Sequence, residues 1–126
     1  MSPKILIVED NVQNRLLMVD ILKMHGHEII EARDGMEGIL FAKSHKPDLI
    51  LLDMQMPVMD GLEAARLLKA DPDTRHIKIL AITSFAMKGD RERILAAGCD
   101  EYMAKPIDTR QLPVVVRRLL DDGHDP

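Results

Sequence analysis

Several short apolar runs of this 126-residue chain lead directly into residues able to do chemistry. Glu9-Asp10 follows Ile5-Leu6-Ile7-Val8, Asp53 follows Leu49-Ile50-Leu51-Leu52, Thr83 follows Ala81-Ile82, and Lys105 lies just beyond the weaker run Glu101–Met103. Carboxylates, a hydroxyl and an ammonium so far apart in sequence act together only if the fold brings the run ends to one place. Carboxylates meeting there repel by up to about 4 kcal/mol per close pair at an effective dielectric of roughly 20. A divalent cation and Lys105 would neutralise the charge of Glu9, Asp10 and Asp53. All-oxygen ligation by few carboxylates suits Mg²⁺, which keeps several waters and shares its shell with phosphate; Mn²⁺ could substitute. A metal, an Asp, a hydroxyl and a lysine form a set for phosphoryl transfer onto a carboxylate: Asp53 attacks, the cation neutralises charge, and Lys105 and Thr83 hold phosphoryl oxygens.

The elements that must position these groups alternate along the chain. Strand-like runs recur at Ile5–Val8, Glu28–Ala32, Leu49–Leu52, Ile77–Ile82 and Glu101–Met103, with helix-period segments between them. Leu17, Ile21 and Met24 predict one apolar helix stripe, stopped at Gly26. Asp34 before Glu37 and Asp60 before Glu63 predict helix caps. Another helix, from about Arg91 to Ala97, ends at Gly98, where a left-handed cap suits glycine. The last, from about Thr109 to Leu120 behind Asp108, contains Pro113, which requires it to begin later or to bend. Five βα units with near-continuous apolar strands predict an α/β three-layer sandwich around a parallel sheet covered on both faces. Right-handed crossovers make it doubly wound, of flavodoxin-like order 2-1-3-4-5, with ligands bound at the carboxyl ends of the strands near the reversal of strand order.

Composition narrows the classes. The chain is 46% apolar but 2% aromatic, with Phe41, Phe85 and Tyr102 and no Trp, so its core is aliphatic. The length predicts a single domain over 1–126, with a core of about 4–120 and a frayed tail over 121–126. One cysteine, Cys99, makes neither a disulfide framework nor a Cys-based zinc site and fits a reducing compartment. The apolar stretches are far short of a membrane span, and Met1-Ser2-Pro3-Lys4 leads into a strand rather than a signal peptide, which predicts a cytoplasmic protein. Seventeen basic against 21 acidic residues, a net charge of −4, argue against binding a nucleic-acid backbone. His25, His27, His45, His76 and His124 lack metal-site spacing and read as solvated surface, while Met54, Met56 and Met59 read as flexible packing.

Four motifs carry a resemblance. They are Ile5-Leu6-Ile7-Val8-Glu9-Asp10-Asn11, the stretch from Pro47-Asp48 through Asp53-Met54-Gln55-Met56-Pro57 to Asp60-Gly61, Ala81-Ile82-Thr83-Ser84, and Tyr102-Met103-Ala104-Lys105-Pro106. From about Lys4 to Leu120 the chain closely resembles the receiver domain of two-component response regulators. The resemblance implies that Asp53 is the phosphoacceptor, supplied by a histidine kinase or histidine phosphotransfer protein. It implies that Glu9 and Asp10 hold Mg²⁺, Asp10 more directly, with the backbone carbonyl of Gln55 as a further ligand. Thr83 and Tyr102 resemble the switch pair that alters a protein-binding surface made by helix four, strand five and helix five, and Lys105 resembles the phosphoryl clamp, with a cis bond to Pro106.

Some positions depart from the common pattern. Ser84 stands where a small Ala is frequent, so its hydroxyl either competes for a phosphoryl oxygen or is tolerated. Gln55 and Phe85 resemble variable positions that flank the phosphoryl group and tune its lifetime. Phe85 either hinders the attacking water or only packs. The segment Ala86–Arg93 is similar to that of receivers attached to hybrid histidine kinases and of small cell-cycle regulators. Such a regulator assists its own phosphorylation and dephosphorylation and is not a conventional enzyme. Three other classes compete: a constitutive adaptor, a flavodoxin-like cofactor binder, and a haloacid-dehalogenase-type phosphatase. The cofactor binder needs an anion cradle where Glu9-Asp10 would repel phosphate, and the phosphatase needs a second acid where Gln55 stands.

Overall fold

A computed structural model describes residues 2–84 and 88–122; Phe85, the start of the Ala86–Arg93 segment, His124 and the end of the tail lie outside the described residues. The elements run β1 (Lys4–Val8), α1 (Val12–Met24), β2 (Glu28–Ala32), α2 (Gly35–His45), β3 (Leu49–Asp53), α3 (Gly61–Ala70), β4 (Lys78–Thr83), α4 (Lys88–Ala96), β5 (Glu101–Ala104) and α5 (Gln111–Asp122). All neighbouring strands pair in parallel, in the order β2-β1-β3-β4-β5 predicted from the sequence. The central strands β1 and β3 are apolar without alternation because helices cover both faces, and every residue of β3 is buried. The edge strand β2 instead exposes Glu28 and Glu31, charges that discourage pairing with another chain.

Strand alternation divides the interior into two cores. On one face Leu6, Ile50, Leu52, Ile79 and Ala81 pack against Ala64, Ala65 and Leu68 of α3 and Ile94 of α4. On the other, Ile5, Ile7, Leu49, Leu51, Leu80 and Ile82 pack against Met18, Val19 and Leu22 of α1 and Leu112, Val116 and Leu119 of α5. Burying each of these large aliphatic side chains contributes roughly 1.5–3 kcal/mol. Phe41 packs against the first core, as does Met59 beside the buried Met54 and Met56.

The caps form where their sequence signals lie. Asp34 and Asp60 accept from the backbone N–H of Glu37 and Glu63 at 2.8 and 2.9 Å, and Asn11 caps α1 through Asn14 N–H at 2.9 Å. Each such cap contributes about 1 kcal/mol. Asp108 accepts from Arg110 and Gln111 N–H at 2.9 and 3.1 Å, and α5 starts at Gln111. Leu112 N–H already donates to Asp108 O at 3.0 Å, so Pro113, which has no N–H, interrupts the ladder at its next rung, to Thr109 O, and the continuous helix begins at Gln111. Gly26 and Gly98 end their helices with φ of 84° and 106°.

The stripe expected on α1 is corrected. Leu17 and Met24 are 41% and 83% exposed, and the face on the sheet carries Met18, Val19 and Leu22. The helix has apolar residues on several sides, so periodicity alone does not choose among them. Arg15, on the side that faces the sheet, is anchored to Glu9 O at 2.8 Å and Glu31 Oε1 at 3.1 Å. Of the described histidines, His25, His45 and His76 are exposed, whereas His27 is half-buried, which lowers its pKa. Among the described residues no helix is long and apolar enough to cross a membrane.

Cys99 is 4% exposed, and burial pushes its thiol up to about 12. Thiolate is the reactive form, so the native protein should resist a maleimide at neutral pH and react once unfolded in guanidinium; rapid labelling of the native protein would contradict this burial.

Candidate functional site

The strand order reverses between β1 and β3, and that is where the polar residues collect. Backbone bonds continue the sheet beyond the strands and carry these residues with it. Glu9 N–H donates to Ala32 O at 3.1 Å, Met54 N–H to Ile82 O at 2.9 Å, and Lys105 N–H to Thr83 O at 2.7 Å. Glu9, Asp53 and Thr83 are thereby buried to within 1%, whereas Asp10 is exposed. A cis peptide bond joins Lys105 to Pro106.

The Lys105 ammonium lies 3.1 Å from Glu9 Oε1 and 3.1 Å from Asp53 Oδ1. The remaining contacts are local: Glu9 Oε2 accepts from Asn11 N–H at 3.2 Å, and Asp53 Oδ1 from Gln55 N–H at 3.1 Å. Burial, reinforced by the neighbouring Asp53, pushes the Glu9 carboxyl up to about 7. For Lys105, burial alone would lower the pKa, but its contacts with Glu9 and Asp53 outweigh that and raise it. Each of Glu9, Asp10 and Asp53 offers a carboxylate oxygen within 4.8 Å of the others. Asp53 Oδ2 is buried without a hydrogen-bond partner. A hard, oxygen-only donor set with a buried unsatisfied oxygen fits Mg²⁺ or Mn²⁺.

The other sequence-predicted residues surround this cluster. Gln55 donates from Nε2 to Thr83 Oγ1 at 2.8 Å and accepts from Ser84 N–H at 2.9 Å. Tyr102 is half-buried against the first core, with the Arg91 guanidinium 5.7 Å from its ring centroid. Ser84 is exposed.

Sequence reading missed two backbone constraints on the loop after Asp53. A Cβ on Gly61 would collide with the backbone of Asp53 and Met54, so only glycine lets α3 start this close to the carboxylate. Met59 N–H donates to Pro57 O at 2.8 Å around Val58, whose φ is 70°. That is a γ-turn centred on a β-branched residue at positive φ. Arg15 was also missed, because its contact with the Glu9 carbonyl depends on how α1 seats.

The fold and this edge define the class of doubly wound receiver-like sandwiches. A family model described as the response regulator receiver domain matches residues 5–117, and the chain belongs to that family. It is 43% identical over 123 residues to the polar-differentiation response regulator DivK of Brucella anthropi, covering 98% of this chain and 100% of the relative. The receiver domain of a signal transduction histidine kinase from Syntrophus aciditrophicus superposes with a TM-score of 0.91 at 34% identity, covering 99% of this chain and 95% of that one. The receiver domain of a Pseudomonas aeruginosa sensor histidine kinase, solved with a magnesium ion in its active-site cleft, gives 0.88 at 34% identity, with coverages of 96% and 99%.

Two stability measurements check the geometry. Because Glu9 holds its proton to about 7 in the folded chain against 4.5 ordinarily, the native state binds more protons between those values. Its contribution to stability is therefore lost as pH rises from about 4.5 to 7. In metal-free buffer, Glu9→Gln should flatten that decline in urea titrations; an identical pH dependence in parent and variant would contradict the shift. Val58 is fully exposed, so Val58→Gly relieves the positive-φ strain without loss of packing and should raise stability by about 1 kcal/mol in urea titrations; a lower urea midpoint would contradict the strain.

Proposed function

We propose that the chain acts as a response regulator of a phosphorelay, with Asp53 as its phosphoacceptor. The observation that carries this reading is the buried Asp53 carboxylate, one oxygen facing Lys105 and the other without a hydrogen-bond partner, beside Glu9 and Asp10. An Asp53 oxygen attacks the phosphorus of a phosphohistidine on a histidine kinase or phosphotransfer protein. The P–N bond breaks, its electron pair stays on the imidazole, which takes a proton, and an acyl phosphate forms. Lys105 follows the transferred charge from carboxylate to phosphoryl oxygens, and the Thr83 hydroxyl donates to another.

Glu9, Asp10, Asp53 and the Gln55 carbonyl would hold Mg²⁺, which when bound neutralises the charge that develops on the phosphoryl oxygens. Dephosphorylation by water regenerates the carboxylate, so the chain assists its own phosphorylation and hydrolysis and turns over no separate substrate. Gln55 and Ser84 flank the phosphoryl group, and Gln55 tunes its lifetime.

Output runs through Thr83 and Tyr102 to a protein partner on the face made by α4, β5 and α5. A groove of about 810 Å³ supports this, running along β5 and α5 past Tyr102, Pro106, Arg110 and Arg118. The net charge of −4 supports protein rather than nucleic-acid partners, and the composition supports a cytoplasmic setting.

Incubation with Mg²⁺ and acetyl phosphate should add one phosphoryl group by mass spectrometry, lost in Asp53→Asn and in EDTA. Tyr102, the only tyrosine in a chain without Trp, should change fluorescence as beryllofluoride saturates the site. A parent that gains no adduct and shows no metal-linked change would support the constitutive adaptor instead.

A further inference from the structure

Gln55 engages its surroundings through three groups. Its backbone N–H donates to Asp53 Oδ1 at 3.1 Å, its side-chain Oε1 accepts from Ser84 N–H at 2.9 Å, and Nε2 donates to Thr83 Oγ1 at 2.8 Å. The Ser84 contact sets the orientation of the carboxamide. A backbone N–H can be met only by the amide oxygen, so the amide nitrogen must face Thr83. One half-buried side chain therefore ties the loop that holds the carboxylate to two consecutive residues at the end of β4.

These bonds belong to the unmodified chain, in which Asp53 is a free carboxylate paired with Lys105. A contact made in one state and absent from another shifts the equilibrium toward the first by its own net strength. Gln55 and Thr83 also border a cleft of about 210 Å³ with Met54, Asp60, Leu62 and Ile94, which gives a released carboxamide somewhere to go.

We propose that Gln55 is a positioning residue that holds the end of β4 in the unmodified arrangement, so that Thr83 turns toward a phosphoryl group on Asp53 only by giving up the carboxamide. This rests on the reading of Asp53 as phosphoacceptor. It assigns Gln55 a role through Thr83 and Ser84, apart from any shielding of the phosphoryl group from water, and its sign is definite: removing the hold should make switching easier.

Gln55→Met keeps the length of the side chain and removes both carboxamide bonds. With saturating Mg²⁺, beryllofluoride should bind this variant about fivefold more tightly than the parent, the effect of one ordinary hydrogen bond. The Tyr102 fluorescence of the unmodified variant should already lie part-way toward that of the saturated parent. In a Thr83→Val background, where the bond to the hydroxyl is already lost, the gain from Gln55→Met should fall to about twofold or less.

Unchanged or weaker binding by Gln55→Met would overturn the proposal. So would a gain of equal size in the Thr83→Val background, since Gln55 would then act on the adduct directly. Ser84 amide exchange tests the hold with no phosphoryl mimic present and should be about tenfold faster in Gln55→Met; equal rates would overturn it. If Gln55→Met does not fold, Gln55→Ala runs the same comparisons. A parent that takes up no beryllofluoride would instead overturn the reading of Asp53, and it would show before any variant is made.

Discussion

Two buried carboxylates share one ammonium, and much of the molecule can be read as what keeps that arrangement in place. Removing Glu9 and Asp53 from water costs several kcal/mol each, which Lys105 offsets only while it stays 3.1 Å from both. It can do so because its own backbone N–H continues the β4–β5 ladder, which anchors the lysine to the same sheet that carries Asp53. One positive charge does not balance two buried negative ones with Asp10 close by. Burial, reinforced by the neighbouring Asp53, raises the pKa of Glu9, and a proton there relieves part of the imbalance.

The loop after Asp53 has little freedom, and for reasons of backbone rather than side chain. Gly61 brings α3 against the Asp53 carbonyl, the Asp60 cap sets where that helix starts, and between them and β3 the chain turns through Val58 at positive φ. A carboxylate held beside so short and constrained a connection does not depend on surrounding side-chain packing for its direction. Related receivers keep the same architecture at 34% identity, with TM-scores of 0.88 and 0.91, consistent with a site positioned by strand ends and turns rather than by one particular set of core residues.

Legibility in the sequence followed the range of the interaction. Strands, caps and the 2-1-3-4-5 order depend on periodicity and on contacts within a few residues, so Asp34, Asp60 and the apolar run of β3 could be read directly. The site polar residues could be placed as well, because parallel topology sends every strand end to one edge. The seating of α1 could not: its apolar residues surround the helix, and the choice of Met18, Val19 and Leu22 over Leu17 and Met24 is made by the sheet beneath. Nor could the contacts of Gln55, which span 28 and 29 residues and depend on how two loops meet, or the collision that reserves position 61 for glycine.

The alternation of β4 has a consequence for the direction of any signal. Thr83 follows Ile79 and Ala81 on the side of the sheet that carries α3 and α4, and Tyr102 packs against that same side, while Leu80, Ile82 and Met103 point to α1 and α5. A displacement at the end of β4 would therefore meet different packing on the two sides of the sheet. Thr83 and Tyr102 share the layer of Ile94 and Ala97, and the packing of α1 and α5 lies on the far side of the sheet from them.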